Sequence, residues 1–251
     1  MDALLNVLGL SVHGLAFSAL AVLVGAFIKG YTGFGASMVW VTSLSLVLPP
    51  LQVVPMVLMF EVATSVGLLR HVWREVEWRS LWLLLAGTCV ATPAGIYALA
   101  SLPADALRIA LALVVFIAAI LIWRGFALKE APGRTATVGV GLLAGFLNGS
   151  MAIVGPPVIL FYFATPLGVA VGRASMVTYL LGTDAVGTGL FALQGLVGTE
   201  ILWRAVCFLP VLLLGVAAGH RQFVAASPQT AKRIALLLLM GLSIALFIRS
   251  L

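Results

Sequence analysis

Apolar runs of near-uniform length follow one another along this chain, separated by short polar breaks. They fall at 10–29, 34–49, 51–70, 80–101 and 104–123, then at 136–148, 150–165, 169–197, 202–224 and 230–249. A transmembrane helix takes about 20 largely apolar residues at ~1.5 Å rise each. Most runs reach that length; the second, sixth and seventh are short. These flank two interruptions, Lys29-Gly30-Tyr31-Thr32-Gly33-Phe34-Gly35-Ala36-Ser37 and Asn148-Gly149-Ser150-Met151-Ala152-Ile153-Val154-Gly155-Pro156-Pro157. Each glycine in the first costs a helix about 1 kcal/mol relative to Ala. Non-helical backbone at membrane depth is tolerated only where it is buried in protein or lines a watery cavity. The pattern predicts an all-α polytopic membrane protein of about 8–10 membrane segments, with interrupted or re-entrant helices. Two such breaks at matching places point to a transporter's binding site.

The halves also repeat. Phe27-Ile28-Lys29-Gly30 aligns with Phe146-Leu147-Asn148-Gly149, and Trp78-Arg79 with Trp203-Arg204. Pro103, Arg108, Ile109, Ala110 and Leu111 recur at one spacing as Pro228, Arg233, Ile234, Ala235 and Leu236. An odd number of runs in each half sets the halves in opposite orientations, an inverted repeat. The expected division is 1–123 for the first repeat, 124–137 for a cytoplasmic linker and 138–251 for the second. Basic residues agree with it. With the N-terminus outside, the inner side receives Lys29, Arg70, Arg74, Arg79, Arg124, Lys129, Arg134, Arg173, Arg221, Lys232 and Arg233. Only Arg108, Arg204 and Arg249 stay outside, a positive-inside bias.

Composition narrows the function classes. Of 251 residues, 63% are hydrophobic and 9% charged, against about 25% charged in a soluble domain. The mean hydropathy is +1.20. The net charge of +6 comes from scattered residues, not the basic stripe of a nucleic-acid reader, so no nucleic-acid partner is expected. Cys89 and Cys207 sit singly in apolar runs with no metal or disulfide spacing. No His or carboxylate cluster has metal-ligand spacing, and no Ser has His and Asp nearby as a nucleophile would need. The expectation is no metal, no cofactor and no enzyme. The first run reads as a retained transmembrane segment, because Asp2 and the absence of Lys or Arg do not fit a signal peptide.

The interruptions hold the candidate site. Gly33 and Gly35 free backbone N–H groups ahead of a helix beginning near Ala36. Such groups and the positive dipole end suit an anion. Thr32 and Ser37 add hydroxyls. In the second half, Asn148 and Ser150 supply polar groups, and Gly155-Pro156-Pro157 opens a helix. Lys29 has two readings: a snorkelling anchor at the end of the first helix, or part of a re-entrant tip that draws the anion. Glu61 and Asp184 are the only acids well inside apolar runs. An intramembrane carboxylate is a functional hypothesis by default, so both are candidates for coupling or gating. The alternative is a structural acid bonded to Thr64, Thr183 or a facing carbonyl. Gly25, Gly67, Gly87 and Gly95 read as sites of close helix packing.

Two halves, each opening on a Gly-rich interrupted segment followed by Pro and a polar-spotted helix, resemble the TauE/SafE family of sulfite exporters. The matching stretches are 30–37 with Pro49-Pro50, and 145–157 with Pro166 and Gly172-Arg173-Ala174-Ser175. The resemblance covers nearly the whole chain. It implies a secondary carrier that exports sulfite or organosulfonates across the bacterial inner membrane. Without the resemblance the residues give only an anion-suited site, which an anion channel or a carrier of another small anion would share. No Walker motif is present, so ATP hydrolysis by this chain is not expected. The partners expected are a small anion and membrane lipid; a homodimer is compatible with both.

Overall fold

A computed structural model describes residues 9–32, 35–124, 132–154, 157–158, 161–162, 169–223, 241, 244 and 247–248. The regular structure among them is helical throughout. The first half contains α1 (Val12–Thr32), α2 (Ala36–Leu44), α3 (Pro50–Val72), a 3-10 turn (Trp73–Glu75), α4 (Trp78–Ser101) and α5 (Ala104–Trp123). The second contains α6 (Arg134–Met151), α7 (Val169–Leu193) and α8 (Thr199–Phe223). Among the described residues, four helical stretches, Val12–Tyr31, Trp78–Ser101, Ala174–Leu193 and Thr199–Gly219, are long and apolar enough to cross a membrane. Val90, Leu143, Leu213 and Leu214 face outward, the arrangement a lipid solvent favours. The protein is a multi-pass helical membrane protein.

Glycine sets how the helices meet. On α6, Gly141, Gly145 and Gly149 recur every four residues and lie against the backbone of Leu84, Thr88 and Thr92 on α4. Gly87 and Gly95 on α4 return the contact, against Val138 and Phe146. No side chain fits between these backbones, which is the small-residue packing of membrane helices. Gly87 and Gly95 are therefore packing residues, as their apolar surroundings predict. Gly215 and Gly219 on α8 lie in the same way against Leu23, Phe27 and Tyr31 of α1. In both pairs the residue numbers rise together, so the paired helices run parallel.

The third major pairing joins α3 to α7. Exchanging the halves converts α1·α8 into α6·α4 and leaves α3·α7 unchanged. The pairing scheme is thus the same seen from either half.

Both interruptions are narrower than the sequence predicts. α1 stays helical through Thr32 and α2 opens at Ala36, so both edges of the first stretch are helical. Lys29 and Gly30 lie inside the helix, where packing of α1 on α8 offsets the modest cost of glycine. α6 likewise continues to Met151, so Asn148, Gly149 and Ser150 are helical and the second break starts at Ala152. Ala152 has the left-handed values φ 52 and ψ 30, which cost a non-glycine residue about 1–2 kcal/mol. Its N–H donates to the Asn148 carbonyl at 2.9 Å.

α2 folds back on α1. The Trp40 indole N–H donates to the Val22 carbonyl at 3.0 Å and the ring fills the space over Gly25. At ~1.5 Å per residue, a nine-residue helix is under half the ~30 Å hydrocarbon core. α2 does not cross, and all its residues are buried. Pro49 and Pro50 then start α3, with Pro50 in the first turn, where no N–H is needed.

Candidate functional site: a buried polar cluster across the two halves

The last turn of α1 carries Lys29 inward. Its ammonium bonds the carboxylate of Glu61 and donates to Ser65 Oγ at 2.9 Å. Lys29 is 1% exposed and Glu61 3%. Lys29 is therefore not a snorkelling anchor, which keeps its charge in water. Nor does it sit on a non-helical tip. Glu61 and Ser65 are one helical turn apart, so α3 presents both on one face. Thr64, considered from sequence as a partner for the Glu61 side chain, instead gives its hydroxyl to the carbonyls of Phe60 and Glu61, at 2.8 and 3.0 Å.

The second half makes the corresponding contact with different chemistry. Asn148, in the last turn of α6, donates through its amide to the Thr183 hydroxyl at 3.0 Å and the Thr183 carbonyl at 3.2 Å. The neighbouring Asp184 is 1% exposed and lies within electrostatic reach of both Glu61 and Lys29. Its Oδ2 has no hydrogen-bond partner, and neither does Asn148 Oδ1. Among the described residues, these are two buried acceptors without a donor, a costly arrangement in a dry interior. Gly187 lies one turn further along α7, against Leu58 and the Asn148 amide. Tyr179 is one turn before Thr183 and bonds the hydroxyl of Thr88 on α4.

The α3–α7 pairing thus brings together Lys29, Glu61, Asn148 and Asp184 of the sequence-predicted set. Ser37 is buried in the first turn of α2. Gly35 precedes it with φ 84, and no side chain caps the helix start, so the first N–H groups of α2 take no bond from a capping residue. Ser150 is buried, but its hydroxyl is engaged by the Phe146 carbonyl at 2.7 Å. Thr32 closes α1. Gly33 and Gly155 lie outside the described residues. Sequence reading did not include Ser65, Tyr179 or Thr88 in the site. The i,i+4 pairs Glu61/Ser65 and Tyr179/Thr183 were the available signal, since each puts two polar groups on one helix face.

At the other end of α3, Arg204 of α8 is buried and donates to Gln52 Oε1 at 2.7 Å. Arg108 of α5 donates to the Ser45 carbonyl at 3.2 Å. Arg108 thus ties α5 to the α2–α3 connection, and Arg204 ties α8 to the first turn of α3.

Comparison with known proteins gives the family. A 26% identical relative from Cupriavidus necator is described as a probable sulfite/organosulfonate exporter TauE. The match spans 233 residues, covering 89% of this chain and 90% of that protein. No solved structure matches. A family model, "Sulfite exporter TauE/SafE", matches residues 17–246. With nearly the whole chain inside that match, this protein belongs to the TauE/SafE sulfite exporter family.

Proposed function

We propose that this protein is a secondary carrier, not an enzyme, that exports sulfite or a small organosulfonate across the bacterial inner membrane. The observation that carries the reading is the buried cluster of Lys29, Glu61, Asn148 and Asp184 in a chain of this family. A cation and an amide lie at the ends of two matched helices, and the uncapped start of α2 follows Lys29 after a short break. These groups suit an oxyanion: charge-assisted bonds contribute about 1.5–3 kcal/mol each, and helix N-termini add backbone donors. The relative from Cupriavidus necator supports the substrate class by its name.

The carrier is built from inverted halves, 1–123 and 138–251, joined by the cytoplasmic linker 124–137. Two features support this: a pairing scheme unchanged by exchange of the halves, and parallel α1/α8 and α4/α6 pairs. The charge bias assigns each of those pairs one direction across the membrane. Alternating access then follows as one half rocks against the other around the site.

Purified protein in liposomes, offered sulfite, sulfoacetate, taurine, sulfate and chloride, tests the reading. Saturable uptake of a sulfur oxyanion, accelerated by the same anion on the far side, is the expected result. Flux that never saturates and shows no counter-transport identifies a channel instead.

A further inference from the structure

The ammonium of Lys29 is already occupied by the protein. Glu61 neutralises it, Ser65 takes a further N–H, and both cluster residues on α3 are buried. An anion arriving here meets a cation with no charge to spare. Asp184 lies near enough to feel both partners. One ammonium and two carboxyl groups are neutral with a single proton shared between the acids.

A second proton changes what Lys29 offers. Once neutral, Glu61 no longer holds the ammonium as an ion-pair partner, and the donors it occupied turn to a new acceptor. A sulfonate oxygen in that place restores neutrality: one cation, one bound anion and two protonated acids. When the anion leaves, Glu61 gives up its proton and closes on Lys29 again. The proton comes from, and returns to, the compartment in which the anion binds or leaves. Every intermediate with the site filled is neutral, which matters where an unpaired buried charge costs several kcal/mol.

The groups facing Glu61 do not substitute for it. Lys29 comes from α1. Asp184 comes from α7, and Tyr179 on the same helix, held by Thr88, lies within electrostatic reach of Asp184. From α6 comes the uncharged Asn148, committed to Thr183. Among the described residues, Glu61 is the carboxylate bonded to the ammonium.

We propose that Glu61 keeps the anion's place on Lys29, and that each negative charge of substrate crosses with one proton, which displaces Glu61. The proposal rests on the sulfur-oxyanion reading above and adds its coupling. Because the neutral proton–anion pair follows the pH gradient inward, net export runs only while the outward anion gradient exceeds the inward proton gradient.

The test uses purified full-length protein in liposomes, with labelled isethionate, a sulfonate that stays ionised across the working pH range, and labelled sulfite beside it. Potassium and valinomycin clamp the membrane potential. With the potential at zero, a pH gradient of one unit, acid outside, should concentrate isethionate about tenfold inside. A potential imposed without a pH gradient should concentrate it not at all. In Glu61→Gln, the pH-driven accumulation should vanish. Accumulation by wild-type protein that follows the potential and ignores the pH gradient overturns the proposal, whatever the variant does. Absence of uptake of both anions overturns the sulfur-oxyanion reading itself, and this proposal with it.

Discussion

Lys29 and Asn148 hold the same place in the two halves. Each stands in the last turn of the first helix of its half, in the aligned segments 27–30 and 146–149. Each reaches the next long described helix of its half: Lys29 binds Glu61 on α3, and Asn148 binds Thr183 on α7, next to Asp184. The placement of the two residues is matched and their chemistry is not. One half supplies a cation with its own counter-ion, the other a neutral amide beside an acid that has one free oxygen.

The first prediction follows from Asn148. Its amide holds the Thr183 hydroxyl and carbonyl at the point matching Lys29. Asn148→Ala should raise the dissociation constant for the preferred anion roughly tenfold, the effect of losing one such positioning bond. Ser37→Ala, which removes a hydroxyl from the first turn of α2, should act in the same direction. Calorimetric titration of the purified variants checks both. Parent affinity in the two would place the anion elsewhere.

The second concerns the α4–α6 seam. A Cβ on Gly145 would enter the backbone of Thr88, whereas Gly139 on the same helix meets nothing within 4 Å. Overpacking costs about 1–3 kcal/mol where a side chain can adjust, and backbone on both sides cannot. Gly145→Val should therefore lower the midpoint of thermal unfolding in detergent by several degrees or abolish expression. Gly139→Ala should leave it at the parent value. Equal behaviour of the two would remove close approach as the reason for the glycine series.

Much of the fold could be read from residue pattern because lipid leaves few options. Long apolar runs must be helices, and Gly87 and Gly95 inside them had packing as their plain use. The breaks were harder. Glycine content marks where a helix can end, not where it does. Gly30 remains helical because Phe27 and Tyr31 on either side of it pack against Gly219 of α8, a contact far away in sequence. The site was half legible. Lys29, Glu61, Asn148 and Asp184 stand out as polar residues in apolar runs. That Lys29 and Glu61 bond each other, across a separation of 32 residues, depends on how α1 and α3 are set side by side, and no local pattern encodes that.

The third prediction fixes orientation. Gly133, just before α6, and Gly198, just before α8, both have open space around them and ordinary backbone angles. The basic residues put the first inside and the second outside. With Cys89 and Cys207 replaced by Ala, a cysteine at Gly133 should react with an impermeant maleimide only after the cells are opened. One at Gly198 should react on intact cells. Labelling of both from the same side would rule out the assigned topology.

The last prediction separates what the Lys29–Glu61 pair does for the fold from what it does for transport. Removing one member of a buried pair costs about 3–5 kcal/mol, because a charge is left behind without compensation. The two members are not equivalent here. Lys29→Met leaves Glu61 facing Asp184, two acids with no cation between them. Glu61→Leu leaves Lys29 with Asp184 still in electrostatic reach. Lys29→Met should therefore be the more destabilising of the two. The double variant should be more stable than Lys29→Met alone, since apolar residues of similar volume often replace a buried pair at no cost. Thermal unfolding of the four proteins in one detergent gives the cycle. Additive losses in the double variant would mean that the two side chains do not depend on each other. If the cycle closes as expected, the folded double variant becomes the decisive transport sample. It keeps the scaffold, has neither the cation nor its place-holder, and should accumulate no sulfonate under a pH gradient or a potential.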